Sequence, residues 1–133
     1  MMVEAKDLTG KTILVVEDSP TQGLHLQALL RQHGLTVVCA WNGEVGVALA
    51  HQIRPDLVVL DMHLPDITGL EVCRRLRLEA DTAWVPIIIF THSHDPDVVS
   101  ESFKAGAVDY IPKDVFADAV LVETLRQMGL IPR

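Results

Sequence analysis

The chain has 133 residues, the size of a single domain and enough to bury a hydrophobic core without disulfides. Its 18 acidic residues outnumber its 11 lysines and arginines, and the net charge of -7 disfavours direct binding of nucleic acid. No run of about 18 apolar residues and no apolar signal segment near Met1 is present, so we expect a cytoplasmic protein that is neither secreted nor inserted into a membrane.

The first apolar run, over residues 12–16, predicts a β-strand. Ser19 can cap the helix that follows, and Pro20 suits its first position because a proline lacks the N–H that would be unpaired there. We expect this helix to run to about residue 32 and to end at Gly34. The leucines expected on its buried side are Leu26, Leu29 and Leu30.

Residues 35–40 predict the second strand, and Cys39 lies within it. Asn42 caps the next helix, which Pro55 ends because the residue before a proline avoids the helical conformation. The side chains expected on the buried side of this helix are Val45, Ala48 and Leu49.

Residues 57–60 are four aliphatic side chains in a row, the pattern of a strand buried on both faces of a sheet. The run stops at Asp61, and Pro65, Asp66 and Gly69 indicate a loop. In open α/β sheets ligands bind at this carboxyl end of the strands. The helix after the loop carries an apolar stripe of Gly69, Val72, Cys73 and Leu76, whereas Glu71, Arg74, Arg75 and Arg77 are expected to form a solvated outer face.

The remaining residues predict two more strand–helix units. Residues 87–91 form the fourth strand, Asp95 caps a helix to about Lys104, residues 108–111 form the fifth strand, and Asp114 opens the last helix. The side chains expected to point inward are Val98, Val99 and Phe103 on the fourth helix, and Ala117, Leu121, Leu125 and Met128 on the fifth, which ends at Gly129.

Five successive βα units predict an α/β fold with a parallel, doubly wound sheet, because right-handed crossovers place helices on both faces and a barrel needs about eight units. The usual strand order at this size is 2-1-3-4-5, the flavodoxin-like arrangement. We expect one domain over residues 1–133, with its core at about 11–128. Cys39 and Cys73 match no metal or redox spacing, so both are expected to pack as free thiols in a reducing compartment.

In this strand order the carboxyl ends of strands 1 and 3 are neighbours and bring together Glu17, Asp18 and Asp61. Three carboxylates in one crevice repel one another unless a cation joins them, and hard oxygen ligands favour Mg²⁺. Thr91 and Lys113 lie at the same edge. A metal, a hydroxyl and an ammonium group around one carboxylate can stabilise a phosphoryl group as it moves onto that carboxylate, which makes Asp61 the candidate nucleophile.

Taken singly, each of these residues is more often structural, because an acid at a strand end is commonly a cap and a loop lysine is commonly solvated. Together they resemble the receiver domains of two-component response regulators. Glu17-Asp18 looks like the acidic pair of that family, Asp61 with Pro65 and Gly69 looks like its D-x-x-x-P-x-x-x-G loop, and Thr91, Tyr110 and Lys113 look like its hydroxyl, its aromatic switch and its lysine. The resemblance covers residues 11 to about 128.

The resemblance implies that Asp61 accepts a phosphoryl group from a sensor histidine kinase or a histidine phosphotransfer protein. It implies that Mg²⁺ is held by Asp18, Asp61, the backbone carbonyl of His63 and, through water, Glu17. Such a domain catalyses its own phosphorylation and dephosphorylation but is not an enzyme with a separate substrate. It switches the binding of a downstream protein, which the sequence does not identify, and dimerisation through the last helix–strand–helix face is common in such domains.

Three residues depart from the family pattern. His63 is an uncommon choice two residues after the acceptor, His92 stands where a small residue is usual, and Asp114 replaces a proline that often follows the lysine. Because His63, His92 and Ser93 project from the loops after strands 3 and 4, we expect them to modulate the lifetime of the phosphoryl group.

Other classes of function share parts of this pattern. A flavodoxin-like FMN carrier has the same fold, but Glu17-Asp18 would repel the FMN phosphate. A phosphatase of haloacid dehalogenase type would carry its nucleophile and a second acid two residues later at strand 1, and the adjacent pair lacks that spacing. A receiver-like interaction module without phosphorylation remains the third alternative. A zinc site from His63, His92 and His94 is the fourth, although loop histidines are more often solvated.

Overall fold

The computed structural model describes residues 10–132, so the expectation about a signal segment lies outside the described residues. Five strands alternate with five helices, and all strand pairs are parallel in the order β2-β1-β3-β4-β5. The predicted flavodoxin-like α/β fold is confirmed. The elements are β1 Thr12–Val16, α1 Pro20–Arg31, β2 Thr36–Ala40, α2 Gly43–Ile53, β3 Leu57–Leu60, α3 Gly69–Leu78, β4 Ile87–Thr91, α4 Pro96–Lys104, β5 Asp109–Pro112 and α5 Ala117–Gln127.

The core consists of two apolar layers, one on each face of the sheet. Successive strand residues point to opposite faces, so Val59 belongs to the layer under α1 and α5, whereas Val58 and Leu60 belong to the layer under α2 and α3. Because both faces are covered, the central strands are continuous apolar runs rather than alternating ones. The same two-sided burial explains why the strands could be located from the sequence.

The inward face of α2 differs from the prediction. Val45 and Ala48 are exposed, and Leu49 is only partly buried. The buried residues of α2 are Gly43, Gly46 and Ala50. A Cβ on Gly46 would lie 2.9 Å from a methyl carbon of Val16, so the backbone of α2 itself packs against β1. Because the backbones of α2 and β1 are so close, the small residues of α2 face the core and its larger residues face outward.

The last two units also differ from the prediction. Strand β5 lies one residue later than expected, and the segment after it turns before α5 begins three residues later than Asp114. Asp114 accepts a hydrogen bond of 2.8 Å from the N–H of Phe116 in this turn instead of capping the helix. Two side chains expected to point inward are exposed, Phe103 of α4 and Met128 after α5.

Arg77 was expected on the solvated face of α3, and this expectation is wrong. Its guanidinium group donates to the carbonyl oxygens of Ala83 at 3.0 Å, Val85 at 2.7 Å and Gly106 at 2.7 Å. Gly106 has a φ of +112°, and a Cβ there would lie 2.6 Å from Nε of Arg77. Arg77 therefore ties the end of α3 to the loops before β4 and β5.

Both cysteines are free, as expected. Cys73 is buried in the stripe of α3, where desolvation raises the pKa of its thiol to about 11, and Cys39 is half-buried in β2. None of the helices within residues 10–132 has the length and apolar character that a membrane crossing requires.

Candidate functional site

Asp61 directly follows β3 at the carboxyl edge of the sheet. Its backbone N–H donates to the carbonyl oxygen of Val16 at 3.0 Å, which extends the ladder between β1 and β3 to the acid itself. Only 7% of the residue is exposed. The central strand pair therefore fixes the position of the carboxylate and shields most of it from water.

Both oxygens of the Asp61 carboxylate accept hydrogen bonds. Oδ1 accepts from the N–H of His63 at 3.0 Å and from the hydroxyl of Thr91 at 2.8 Å, and Oδ2 accepts from Nζ of Lys113 at 2.9 Å. Burial raises the pKa of Asp61, but these donors and the charge of Lys113 outweigh burial and hold the pKa below its ordinary value. The carboxylate is thus kept ionised, as a nucleophile must be.

Lys113 reaches the site because its backbone N–H donates to the carbonyl oxygen of Thr91 at 2.8 Å, which continues the pairing of β4 with β5. Its side chain is 7% exposed, and Nζ donates to Asp61, to Glu17 and to the amide oxygen of Gln22. Gln22 was not among the predicted site residues. The sequence contains one indication of its role: Gln22 lies in the first turn of the helix that Ser19 caps, and this turn starts at the edge of the sheet where the site lies.

The three predicted acids converge. One carboxylate oxygen each of Glu17, Asp18 and Asp61 lies within 4.8 Å of the others. Glu17 is buried and Asp18 is exposed, so the cluster is open to solvent on one side. Burial is the main reason why the pKa of Glu17 is raised, and the negative charge of Asp61 raises it further. A set of oxygen ligands that repel one another fits a hard divalent cation such as Mg²⁺.

The loop after Asp61 is shaped by two close contacts. A Cβ on Gly69 would lie 2.6 Å from the carbonyl oxygen of Asp61 and 2.8 Å from Cα of Met62, so only glycine fits there. The carboxylate of Asp66 accepts hydrogen bonds of 2.8 Å from the N–H groups of Gly43 and Glu44 at the start of α2. The loop is therefore held at Asp66 and at Gly69, while Pro65 just before them is exposed.

Tyr110 and Ser93 connect the site to α4. The hydroxyl of Tyr110 donates to the carbonyl oxygen of Ser93 at 2.7 Å, and the half-buried ring packs against the core layer that contains α2 and α3. Burial raises the pKa of this hydroxyl. The residue expected to act as the switch therefore holds the loop that begins at the carboxyl end of β4.

The three loop histidines remain in solvent. His63, His92 and His94 are all exposed, and in the part of the chain that the structure describes the acidic cluster is the only group with metal-ligand geometry. The proposed zinc alternative therefore has no support. His63 takes part in the site through its backbone N–H, whereas His92 lines a cavity next to Lys113.

The comparisons with known proteins agree with this geometry. A family model described as the response regulator receiver domain matches residues 13–126. The protein PilH of Pseudomonas aeruginosa is 39% identical over 109 residues, which are 82% of this chain and 90% of PilH. The transcriptional regulatory protein AfsQ1 of Streptomyces coelicolor is 40% identical over 104 residues, which are 78% of this chain but 45% of AfsQ1.

Solved structures give the same result. The receiver domain of the sensor histidine kinase PA1611 of Pseudomonas aeruginosa matches with a TM-score of 0.81 and 31% identity, and the match covers 89% of this chain and 96% of that domain. That structure has a magnesium ion coordinated in its active-site cleft. The family match over most of the chain, together with these relatives, shows that the chain belongs to the response regulator receiver domains of two-component systems.

Proposed function

We propose that Asp61 accepts a phosphoryl group from a phosphohistidine of a sensor histidine kinase or a histidine phosphotransfer protein. One observation carries this proposal: Thr91 at the end of β4 and Lys113 after β5 both donate hydrogen bonds to the ionised carboxylate of Asp61. In this reaction a bond forms between an Asp61 oxygen and phosphorus as the bond between phosphorus and the imidazole nitrogen breaks. Negative charge then develops beside the Lys113 ammonium group, which stabilises it.

Mg²⁺ is the cofactor that the acidic cluster fits. Asp18, Asp61 and the backbone carbonyl of His63 would hold the ion, with Glu17 acting through a water, and the bound ion would neutralise charge on the phosphoryl oxygens. Glu17 is suited to an indirect role because its two oxygens already accept from Lys113 and from the N–H of Ser19. Removal of the phosphoryl group by water would use the same residues, so we classify the domain as a self-catalysing phosphoacceptor.

The switched surface that we propose is formed by α4, β5 and α5. Three large apolar side chains here are each about half exposed, namely Phe103 on α4, Val108 directly before β5 and Val120 on α5. Phosphorylation would give the Thr91 hydroxyl a new acceptor and let the Tyr110 ring move toward the space it leaves. The downstream protein would then bind the altered face, and a second copy of the chain is an alternative occupant.

Intact-mass measurement tests the phosphoryl acceptor. With Mg²⁺ and acetyl phosphate, the wild-type domain should gain one phosphoryl group, and Asp61→Asn should gain none. Asp97→Asn is a matched control, because Asp97 is an exposed acid in the first turn of α4 and lies outside the cluster of Glu17, Asp18 and Asp61, so it should be labelled like the wild type. Equal labelling of Asp61→Asn would contradict the assignment, and an unlabelled wild type would favour an interaction module without phosphorylation.

A further inference from the structure

Gln22 supplies the third acceptor of the Lys113 ammonium group. Its Oε1 lies 2.5 Å from Nζ, and Glu17 and Asp61 accept at 2.5 Å and 2.9 Å. An ammonium group has three N–H donors and no acceptor, so the amide must present its oxygen to Lys113. With a side chain only 7% exposed, Lys113 depends on these three protein groups rather than on water.

The β1–α1 junction places two of these acceptors together. Ser19 donates its N–H to Oε2 of Glu17 at 3.0 Å and accepts the N–H of Gln22 on its hydroxyl at 3.3 Å. One capping serine thus fixes both the strand end and the first turn of the helix. Glu17 and Gln22 consequently reach the same ammonium group from residues five positions apart.

The three acceptors of Lys113 are not equivalent. Glu17 and Asp61 are carboxylates, whose hydrogen bonds to an ammonium group are assisted by opposite charge, whereas Gln22 is neutral. A phosphoryl group arriving on Asp61 needs a donor from Lys113, and the hydrogen bond to the neutral amide is the easiest of the three to exchange. Gln22 also lines a cavity of about 550 Å³ beside Lys113, so its side chain has room to turn away.

We propose that Gln22 is a positioning residue for phosphoryl transfer, an inference that rests on the proposed function of Asp61. Before transfer, its amide oxygen holds the Lys113 ammonium group between Glu17 and Asp61. During transfer, a phosphoryl oxygen replaces the amide oxygen as the third acceptor. Gln22 therefore orients the ammonium group without locking it to another charge.

Two substitutions of Gln22 distinguish its role in orienting the Lys113 ammonium group from the effect of an added charge. Gln22→Met keeps the length of the side chain but removes the acceptor, so labelling of Asp61 by acetyl phosphate should slow by about 3- to 10-fold with Mg²⁺ affinity unchanged. Gln22→Glu keeps an acceptor but adds a negative charge, so labelling should slow at least as much while Mg²⁺ binds several-fold more tightly. A purely structural role would not move these two quantities in different directions.

The control is Gln27→Met, the same substitution at a half-buried position of α1 away from the site. Its labelling rate and Mg²⁺ affinity should match the wild type. Thermal unfolding of all variants without Mg²⁺ verifies that each is folded.

A measurement on the unphosphorylated, metal-free protein tests the contact independently. In ¹⁵N NMR spectra the ammonium protons of Lys113 should exchange slowly with water in the wild type and in Gln27→Met, and faster in Gln22→Met. Wild-type labelling rates in both Gln22 variants would overturn the positioning role even if Asp61 is confirmed as the acceptor. Unchanged proton exchange in Gln22→Met would overturn the contact itself, whether or not the wild type is labelled.

Discussion

The hydroxyl of Thr91 donates a hydrogen bond of 2.8 Å to Oδ1 of Asp61, although the two residues are 30 positions apart. Thr91 is fully buried at the end of β4, so this oxygen is its partner in the unphosphorylated state. A phosphoryl group on Asp61 would offer acceptors further from the strand. The bond between these two residues is therefore the contact that phosphorylation should change first.

Thr91→Val should separate phosphorylation from its structural consequence. The substitution preserves shape but removes the donor, so Asp61 should still bind beryllofluoride while the loop held by Tyr110 and Ser93 no longer responds. Amide exchange with and without beryllofluoride measures this response. We expect altered protection over residues 92–111 in the wild type and little change in Thr91→Val. Unchanged wild-type protection would refute the proposed switch.

Mg²⁺ should stabilise the domain, because a cation relieves the repulsion among Glu17, Asp18 and Asp61. At a concentration about ten times its Kd, an ion that binds only the folded state adds about 1.4 kcal/mol, which corresponds to a rise in Tm of about 4–7 °C. Calorimetry with Mg²⁺ and with EDTA measures this rise for each variant against its own baseline. Asp18→Ala should abolish it and Glu17→Ala should weaken it less. A full rise in Asp18→Ala would exclude Asp18 as a ligand.

The contribution of Asp66 to stability should depend on pH. Burial raises the pKa of Asp66, but the N–H groups of Glu44 and Gly43 outweigh this effect and place the pKa below its ordinary value. A depressed carboxyl pKa stabilises the fold above the ordinary value, and that stability is lost as pH falls through the folded-state pKa.

Asp66→Ala should therefore be less stable than the wild type at about pH 7, and the difference should shrink between about pH 5 and pH 3. Urea unfolding across this range measures the difference. A difference that stays constant with pH would show that the charge of Asp66 does not stabilise the start of α2.

Arg77→Met should destabilise the fold by about 2–3 kcal/mol, because it removes the donors for three carbonyl oxygens while keeping most of the aliphatic stem. Arg74→Met is the matched control, since Arg74 lies on the same helix, is half exposed and should cost less than about 0.5 kcal/mol. Urea unfolding at neutral pH compares the two variants. Equal effects would mean that the contacts of Arg77 contribute nothing beyond those of a surface arginine.

His92 should lengthen the lifetime of the phosphoryl group. His92 directly follows Thr91 and lines the cavity beside Lys113, so its bulky ring should narrow the path of the attacking water, and His92→Ala should lose the group faster. The competing hypothesis is that His92 or His63 acts as a base for that water. Dephosphorylation rates of wild type, His92→Ala and His63→Ala over about pH 5.5 to 8 distinguish the two. The hypothesis of a histidine base would be favoured by two results together. His92→Ala would lose the phosphoryl group more slowly than the wild type, and the wild-type rate of dephosphorylation would rise as the imidazole becomes neutral.

The sequence by itself located the five strands, and with the strand order that is usual for such a fold it predicted the convergence of Glu17, Asp18 and Asp61. These features depend on local signals, namely apolar runs and caps, combined with the rule that carboxyl ends of parallel strands share one edge. The positions of Thr91 and Lys113 at that edge follow from the same rule. Each of these five residues lies at a strand end or in the loop directly after a strand.

Only the tertiary structure decided how the surrounding side chains are used. Gly46 faces the core because the backbone of α2 packs directly on β1, Arg77 binds carbonyl oxygens of two later loops, and Gln22 meets a lysine 91 positions away. The periodicity of a helix shows which residues share a face but not which neighbour will accept their hydrogen bonds. Those partners are set by the distances between chain segments, which form only when the sheet and its helices pack.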